Sequence, residues 1–312
     1  GTGLSVLLRG IKKHTNNVTA IVTVTDTGGS SGRLRDEFNM LPPGDIRNCL
    51  VALADAEPLM GDLFQYRFEN GSGLKGHSFG NLFITALSKI TGDFDRAIKE
   101  SSRVLSIRGR VIPSTLEKVS LVAEFEDGKI VEGETNITEV GQPVRQLTIK
   151  PEDCQATKEA IEAIETADLI IMGPGSLYTS ILPNLLIREI CQSIIRSDAY
   201  KVYVSNIMTQ PGETDNFTSE GHLHTLLDHT DSDIVDVCIV NNGDIPEELI
   251  QKYQAQGSTM VPLDIDKIQA LGCDVAKGDV VHIDNTIKHD PDKLAKVIFD
   301  KFLEKGIKED NQ

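Results

Sequence analysis

Glycines, hydroxyls and an arginine crowd one short stretch, TDTGGSSGRLRDEF at residues 25–38, where the apolar, β-branched run AIVTVT ends. Gly28, Gly29 and Gly32 permit backbone conformations closed to other residues, Ser30 and Ser31 add hydroxyls beside the backbone N–H groups, and Arg33 supplies a guanidinium fork. With Asp26 at the strand end, such a set can hold a diphosphate. By composition alone it describes a solvated flexible loop.

A second stretch, LPPGDIRNCL at 41–50, has a rigid Pro-Pro-Gly turn, Asp45 placed to cap, and Arg47 and Asn48 in the first turn of the helix that follows. A cation there opposes the helix dipole, so Arg47 calls for an anionic partner, either a carboxylate or a ligand phosphate. GLKGHSFGNL repeats the arrangement: Ser78 caps, Asn81 lies in the first turn, and His77 is read as a structural donor in preference to a general acid or base. After the apolar run DLIIM, Gly173, Pro174 and Gly175 form a stiff wall without polar side chains, suited to a sugar or phosphate, and Ser176 begins the next helix. Asn206, Thr209 and Gln210 of SNIMTQPGETD supply the same rim.

Other chemistries find no support. The sequence contains no G-x-x-x-x-G-K-[ST] or H-E-x-x-H, its serines lie in loops without a partner histidine and acid at recognisable spacing, and the glycine loop at 28–32 lacks G-x-G-x-x-G spacing with an acidic ribose ligand at the expected distance, which disfavours a dinucleotide-dependent oxidoreductase. His222 and His224, two apart, are read as surface residues. The five cysteines form no C-x-x-C and fit reduced thiols of a cytoplasm. A net charge of −16 repels nucleic acid and anionic lipid, so neither is expected as a partner. The apolar runs fall far short of the roughly 18 residues of a membrane span, and no membrane insertion is expected.

These groups need a scaffold that brings loops together at one edge. Apolar β-branched runs alternate with amphipathic windows over the 312 residues, the pattern of an α/β protein with a mainly parallel sheet covered on both faces. Strands are predicted at 20–25, 168–173, 200–206, 234–241 and 279–283, and helices at 45–54, 78–90, 94–106, 157–166, 178–196, 220–228, 247–256 and 290–303. The segment 107–150 breaks the rhythm, with two strand-like runs joined by Asp127-Gly128, and reads as a β-rich insertion in one domain spanning 1–312. The opening GTG, followed at once by an apolar helical pattern, reads as a strand-to-helix turn whose strand lies earlier in the native chain.

Taken in order, GTGLSVLLRG, TVTDTGGSSGRLR, LPPGDIRNCLVAL, GHSFGNLFI, GPGSLYTSILPNLL, NIMTQPGETD and IKHDP resemble the bacterial gluconeogenesis factor family, YvcK-like proteins of the CofD-like superfamily. The resemblance implies a Rossmann-like, CofD-like fold and makes Gly1, Thr2 and Gly3 the tail of a nucleotide-binding loop that in relatives runs G-G-G-T-G-L-S after a strand. It implies binding of UDP-sugars such as UDP-N-acetylglucosamine, and a part in cell shape, peptidoglycan synthesis and growth on gluconeogenic carbon. The alternative is a transferase like the phospholactate transferase that shares the fold, acting on a nucleoside-diphosphate-linked substrate with Arg33 and Arg47 on phosphates and Asp26 on a metal. Thr27 stands where relatives carry an acidic or amide residue, so Asp26 alone holds a divalent ion less well and no metal is expected. A uridine site needs a stacking ring and a polar or basic neighbour; Tyr253 and Lys288 are the candidates, against a packing tyrosine and a solvated lysine. The partners expected are the nucleotide sugar, cell-wall synthesis proteins and a second copy of the chain in a homo-oligomer.

Overall fold

The computed structural model describes residues 2–55 and 58–309; Gly1 lies outside them. The first part of the chain runs α1 (Thr2–Ile11), β1 (Thr19–Val22), α2 (Gly29–Phe38), α3 (Gly44–Leu53), α4 (Pro58–Gln65), α5 (Phe79–Thr91), α6 (Phe94–Val104) and β2 (Arg110–Pro113). The second part is β3 (Ser120–Phe125), β4 (Ile130–Glu132), α7 (Glu134–Val140) and β5 (Val144–Lys150). The third runs α8 (Lys158–Glu165), β6 (Leu169–Met172), α9 (Leu182–Leu185), α10 (Arg188–Arg196), β7 (Tyr200–Val204), α11 (Ser219–Asp228), β8 (Val237–Asn241), α12 (Glu247–Gln254), α13 (Ile265–Ala270), β9 (Asp274–Gly278), β10 (Val281–Ile283), β11 (Ile287–His289) and α14 (Pro291–Glu309).

β6, β7, β8 and β9 lie side by side in sequence order, all parallel. Every residue of β7 and four of the five in β8 are buried, as strands covered by helices on both faces must be. β1 pairs in parallel with β2, Thr19 opposite Arg110 through Val22 opposite Pro113. The free edges of β1 and β6 line one cleft of about 390 Å³, together with apolar side chains of α1 such as Leu4, Leu7 and Ile11. β3 carries β4 and β5 on its two sides, all antiparallel, with Gly128 at φ +82° in the turn that Asp127-Gly128 announced. The β-rich insertion is therefore real, but β2, inside its expected bounds, belongs to the parallel pair. One continuous core runs from Leu7 of α1 through Val202 and Ile239 to Ile298 of α14.

The structure corrects four local expectations. The glycine-serine loop becomes α2 from Gly29 onward. The single helix expected over 178–196 is broken: the first turn, Leu177–Ile181, is a wide π turn in which Leu182 N–H reaches Leu177 O, followed by α9 and α10. Pro183 has no N–H to give Thr179 O, so the usual i to i−4 ladder cannot run through it. The fourth parallel strand is Asp274–Gly278, and Val281–Ile283 instead pairs antiparallel with Ile287–His289. Finally, His222 is fully buried, with Nδ1 2.9 Å from Thr218 O and its ring edge against Phe217, while His224 is exposed beside Asp228. Two residues apart on a helix, one of them faces the core.

Candidate functional site

Three helix N-termini meet beside the end of β1. Asp26 Oδ1 accepts a hydrogen bond from Gly28 N at 2.8 Å, closing the turn into α2. A Cβ on Gly32 would lie 2.0 Å from Thr27 O, and one on Gly44 only 2.2 Å from Ser31 Oγ, so only glycine lets α2 form and α3 abut it. Asp45 sits in the first turn of α3 and does not cap it; Pro43 occupies that position. Ser78 does cap α5, accepting from Asn81 N at 3.2 Å. Asn81 Nδ2 in turn donates to Ser30 Oγ at 3.1 Å, and Ser30 Oγ lies 2.9 Å from His77 Nδ1, tying α5 to α2. His77 is buried, and burial lowers its pKa, with Arg33 acting in the same direction. Arg33 is exposed and donates to Lys75 O at 2.8 Å, anchoring the loop ahead of α5.

Arg47 is the unusual member of this group. It is 8% exposed and lies so close to the start of α5 that a Cβ on Gly80 would be 2.8 Å from its Cδ. Its Nη2 donates to Asn48 Oδ1 at 2.6 Å, while Nε is buried with no hydrogen-bond partner among the described residues. Asn81 Oδ1 is buried and unpartnered in the same sense. Burial lowers the Arg47 pKa and Arg67 adds to this; Asp45 and Asp26 oppose it. A guanidinium and an amide oxygen so placed are costly unless something else bonds them.

The other half of the site is acidic, and sequence reasoning missed two of its members. Thr27 Oγ1 accepts from Thr135 N and lies 3.1 Å from Thr135 Oγ1, docking the start of α7 against the end of β1. That contact sets Glu134 near Asp26 and Asp45, where burial first and those carboxylates next push its pKa up to about 8. Burial also raises Asp26. The glycine-proline wall, from the third part of the chain, packs against the first turn of α1, a Cβ on Gly3 falling 2.3 Å from Pro174 O. Thr2 begins that helix. Gly173 has φ +86°, and Val204 O would crowd a Cβ there, so the turn after β6 needs its glycine. Gly175 has only ordinary contacts. Ser176 Oγ donates to Glu213, a buried residue of the turn after β7. Glu213 lies within the quoted QPGETD, but the amides and hydroxyls ahead of it drew the reading. Glu134 follows Gly133 in an otherwise unremarked short helix.

The remaining rim residues are tied up locally. Asn206 Nδ2 is 3.4 Å from Gln210 Oε1, and Thr209 Oγ1 accepts from Thr259 N at 2.8 Å. Asn206 lines a cavity of about 350 Å³ beyond β7 and β8, with Asn242, Asp244, Ile250 and Met260. Tyr253 packs on Ile207, Val281 and Ile287, and its hydroxyl accepts from Ile287 N at 3.0 Å. Lys288 is exposed on β11 opposite His282. Among the described residues, no group of three or more His, Cys, Asp or Glu side chains has the geometry of a metal site.

A doubly covered parallel sheet with helix N-termini gathered beside its strand ends defines a Rossmann-like α/β protein, and the chain belongs to the CofD family. The family described as 2-phospho-L-lactate transferase CofD matches residues 1–281. The chain is 49% identical over 305 residues to the gluconeogenesis factor of Bacillus subtilis, covering 97% of this chain and 96% of that one. It is 52% identical over 315 residues to a putative gluconeogenesis factor of Aquifex aeolicus, covering 98% and 95%. A Bacillus halodurans protein solved by X-ray crystallography superposes with a TM-score of 0.94 at 48% identity, over 96% of each chain.

Proposed function

We propose that this protein is a cytoplasmic gluconeogenesis factor that binds a UDP-sugar of the UDP-N-acetylglucosamine kind and regulates cell shape and peptidoglycan synthesis during gluconeogenic growth. The observation that carries the binding reading is Arg47: a buried guanidinium, unpartnered at Nε among the described residues, where the starts of α2, α3 and α5 converge. Helix N-termini and a guanidinium together favour a diphosphate. The turn after β6 meets the start of α1 at the Gly3–Pro174 contact, beyond the strand end, the side on which open α/β sheets bind ligands. No helix among the described residues is long and apolar enough to cross a membrane.

Titration calorimetry with UDP-N-acetylglucosamine tests the reading. Arg47→Ala is expected to weaken binding by roughly 1.5–3 kcal/mol, the range for a charge-assisted hydrogen bond. Unaltered affinity would remove Arg47 from the site. The uridine end is assigned to Tyr253 and Lys288; Tyr253→Ala is part of the same series.

A transferase acting on a nucleoside-diphosphate-linked substrate is the second reading. Glu134 favours it, since a carboxyl that titrates near neutrality is fit for proton transfer. Release of free nucleotide from a UDP-sugar in the presence of an acceptor would establish it.

A further inference from the structure

Three side chains beyond the ends of β6 and β7 form one hydrogen-bonded chain. Thr179 Oγ1 donates to Ser176 Oγ at 2.6 Å, and Ser176 Oγ donates to Glu213 Oε2. Thr179 and Glu213 are each 7% exposed, whereas Ser176 is only half-buried. Both hydroxyl protons are thereby committed. A hydroxyl oxygen has two lone pairs, and Thr179 uses one of those on Ser176. The second sits on the least buried residue of the three, so whatever meets Ser176 there must donate.

A diphosphate has no proton to give at neutral pH. It would also bring negative charge into a corner where burial and the approach of Asp26, Asp45 and Glu213 already hold the proton on Glu134, and burial raises Glu213 too, so a further anion is disfavoured there. Sugar hydroxyls and the N–H of an acetamido group do donate, and they add no charge to this acidic corner. Asp26 and Asp45 act on Arg47 as well as on Glu134, so the acidic half adjoins the cationic half at these two residues. A ligand with an anionic end and a donor-rich end spans that junction in one orientation only.

We propose that Ser176, held by Glu213 and Thr179, is a donor-recognising subsite that takes a hydroxyl or amide N–H of the sugar of a nucleoside-diphosphate sugar, with the diphosphate toward Arg47. The proposal rests on the nucleotide-sugar reading above, and it makes Glu213 a positioning residue.

Calorimetry with two probes, UDP and UDP-N-acetylglucosamine, separates the claims. The wild-type protein is expected to bind both, the sugar nucleotide more tightly by about tenfold or more, the worth of one or two hydrogen bonds. Ser176→Ala and Glu213→Gln should leave UDP affinity within about twofold and shrink the sugar's advantage by on the order of fivefold. If Glu213→Gln fails to fold, Ser176→Ala, which keeps the carboxylate, makes the same comparison. An undiminished sugar advantage in the variants, or an equal loss for both probes, overturns the subsite. Wild-type protein that binds UDP and the sugar nucleotide equally overturns the subsite and leaves nucleotide binding standing. Wild-type protein that binds neither overturns both.

Discussion

The cationic half of the candidate site and its acidic half are built in opposite ways. Asp26, Ser30, Ser31, Arg47, His77 and Asn81 come from one continuous stretch of the chain, each at or beside the start of α2, α3 or α5. Glu134, Ser176 and Glu213 come from three separate segments, and the docking of α7 on Thr27 and the pairing of β6 with β7 bring Glu134 near Asp26 and Glu213 near Glu134. The first half is a product of local backbone geometry: helix starts offer N–H groups wherever they occur, and a serine or asparagine there has its bonding role set by position. The second half is a product of desolvation, since its carboxylates acquire shifted proton affinities only through burial and mutual approach.

This contrast makes unequal demands on the two halves. The largest effect is expected at Gly32, where an added Cβ would stand 2.0 Å from a backbone oxygen that has no side-chain freedom to retreat. Gly32→Ala should destabilise the fold by about 3 kcal/mol or more, read by chemical denaturation, whereas Gly175→Ala in the other half meets nothing nearer than 3.4 Å and should cost well under about 1 kcal/mol. Equal losses would erase the distinction between a half fixed by backbone packing and one that is not.

Next comes pH. The Glu134 carboxyl ionises near 4.5 in an unfolded chain and holds its proton to about 8 when folded. Between those values the folded state binds the extra proton, so the stability contributed is full below pH 4.5 and is lost as pH rises through about 8. Glu134→Gln should therefore flatten the fall in unfolding free energy between pH 5 and 9 and be the more stable protein at the alkaline end. Superimposable pH profiles for wild type and variant would show that the acidic half does not desolvate this carboxyl.

The smallest effect is expected at His77. His77→Gln retains a side chain able to bond Ser30, and the imidazole already stands neutral through burial, so nucleotide affinity should stay within a few-fold. A turnover inflection near pH 6.5 that vanishes in this variant would give His77 a proton-transfer role in the cationic half.

Much of the cationic half was legible in the sequence because its signals are local. The serine at 78 capping α5, the arginine in the first turn of α3 and the hairpin at Asp127-Gly128 each follow from residues a few positions apart. Where local signals compete, reading by composition fails: the same glycines and serines that allow a flexible loop also allow α2, and Leu34, buried at 1% exposure, decides for the helix by giving it a face to bury. β9 was missed for the opposite reason. Asp274–Gly278 has little apolar content of its own and becomes a strand because β8 offers it a parallel edge, Val237 opposite Asp274 through Asn241 opposite Gly278. Tyr253, the aromatic candidate for stacking, has its hydroxyl engaged by Ile287 N and its ring on Ile207 and Val281, contacts that no spacing in the sequence encodes.

By itself, then, the sequence determined the α/β class, the order of most elements, the family resemblance and the helix starts that make an anion-binding half, because backbone conformation and capping are decided over a few residues. Tertiary structure alone decided that Asp26 and Glu213 both come near Glu134, that His222 is buried, and that Arg47 keeps a guanidinium nitrogen without a partner among the described residues. Those facts depend on which strands pair and which segments dock across separations that run from 37 residues, Ser176 to Glu213, to 108, Thr27 to Thr135, and burial, the term that sets proton affinity and the cost of an unbonded polar atom, exists only once that packing has formed.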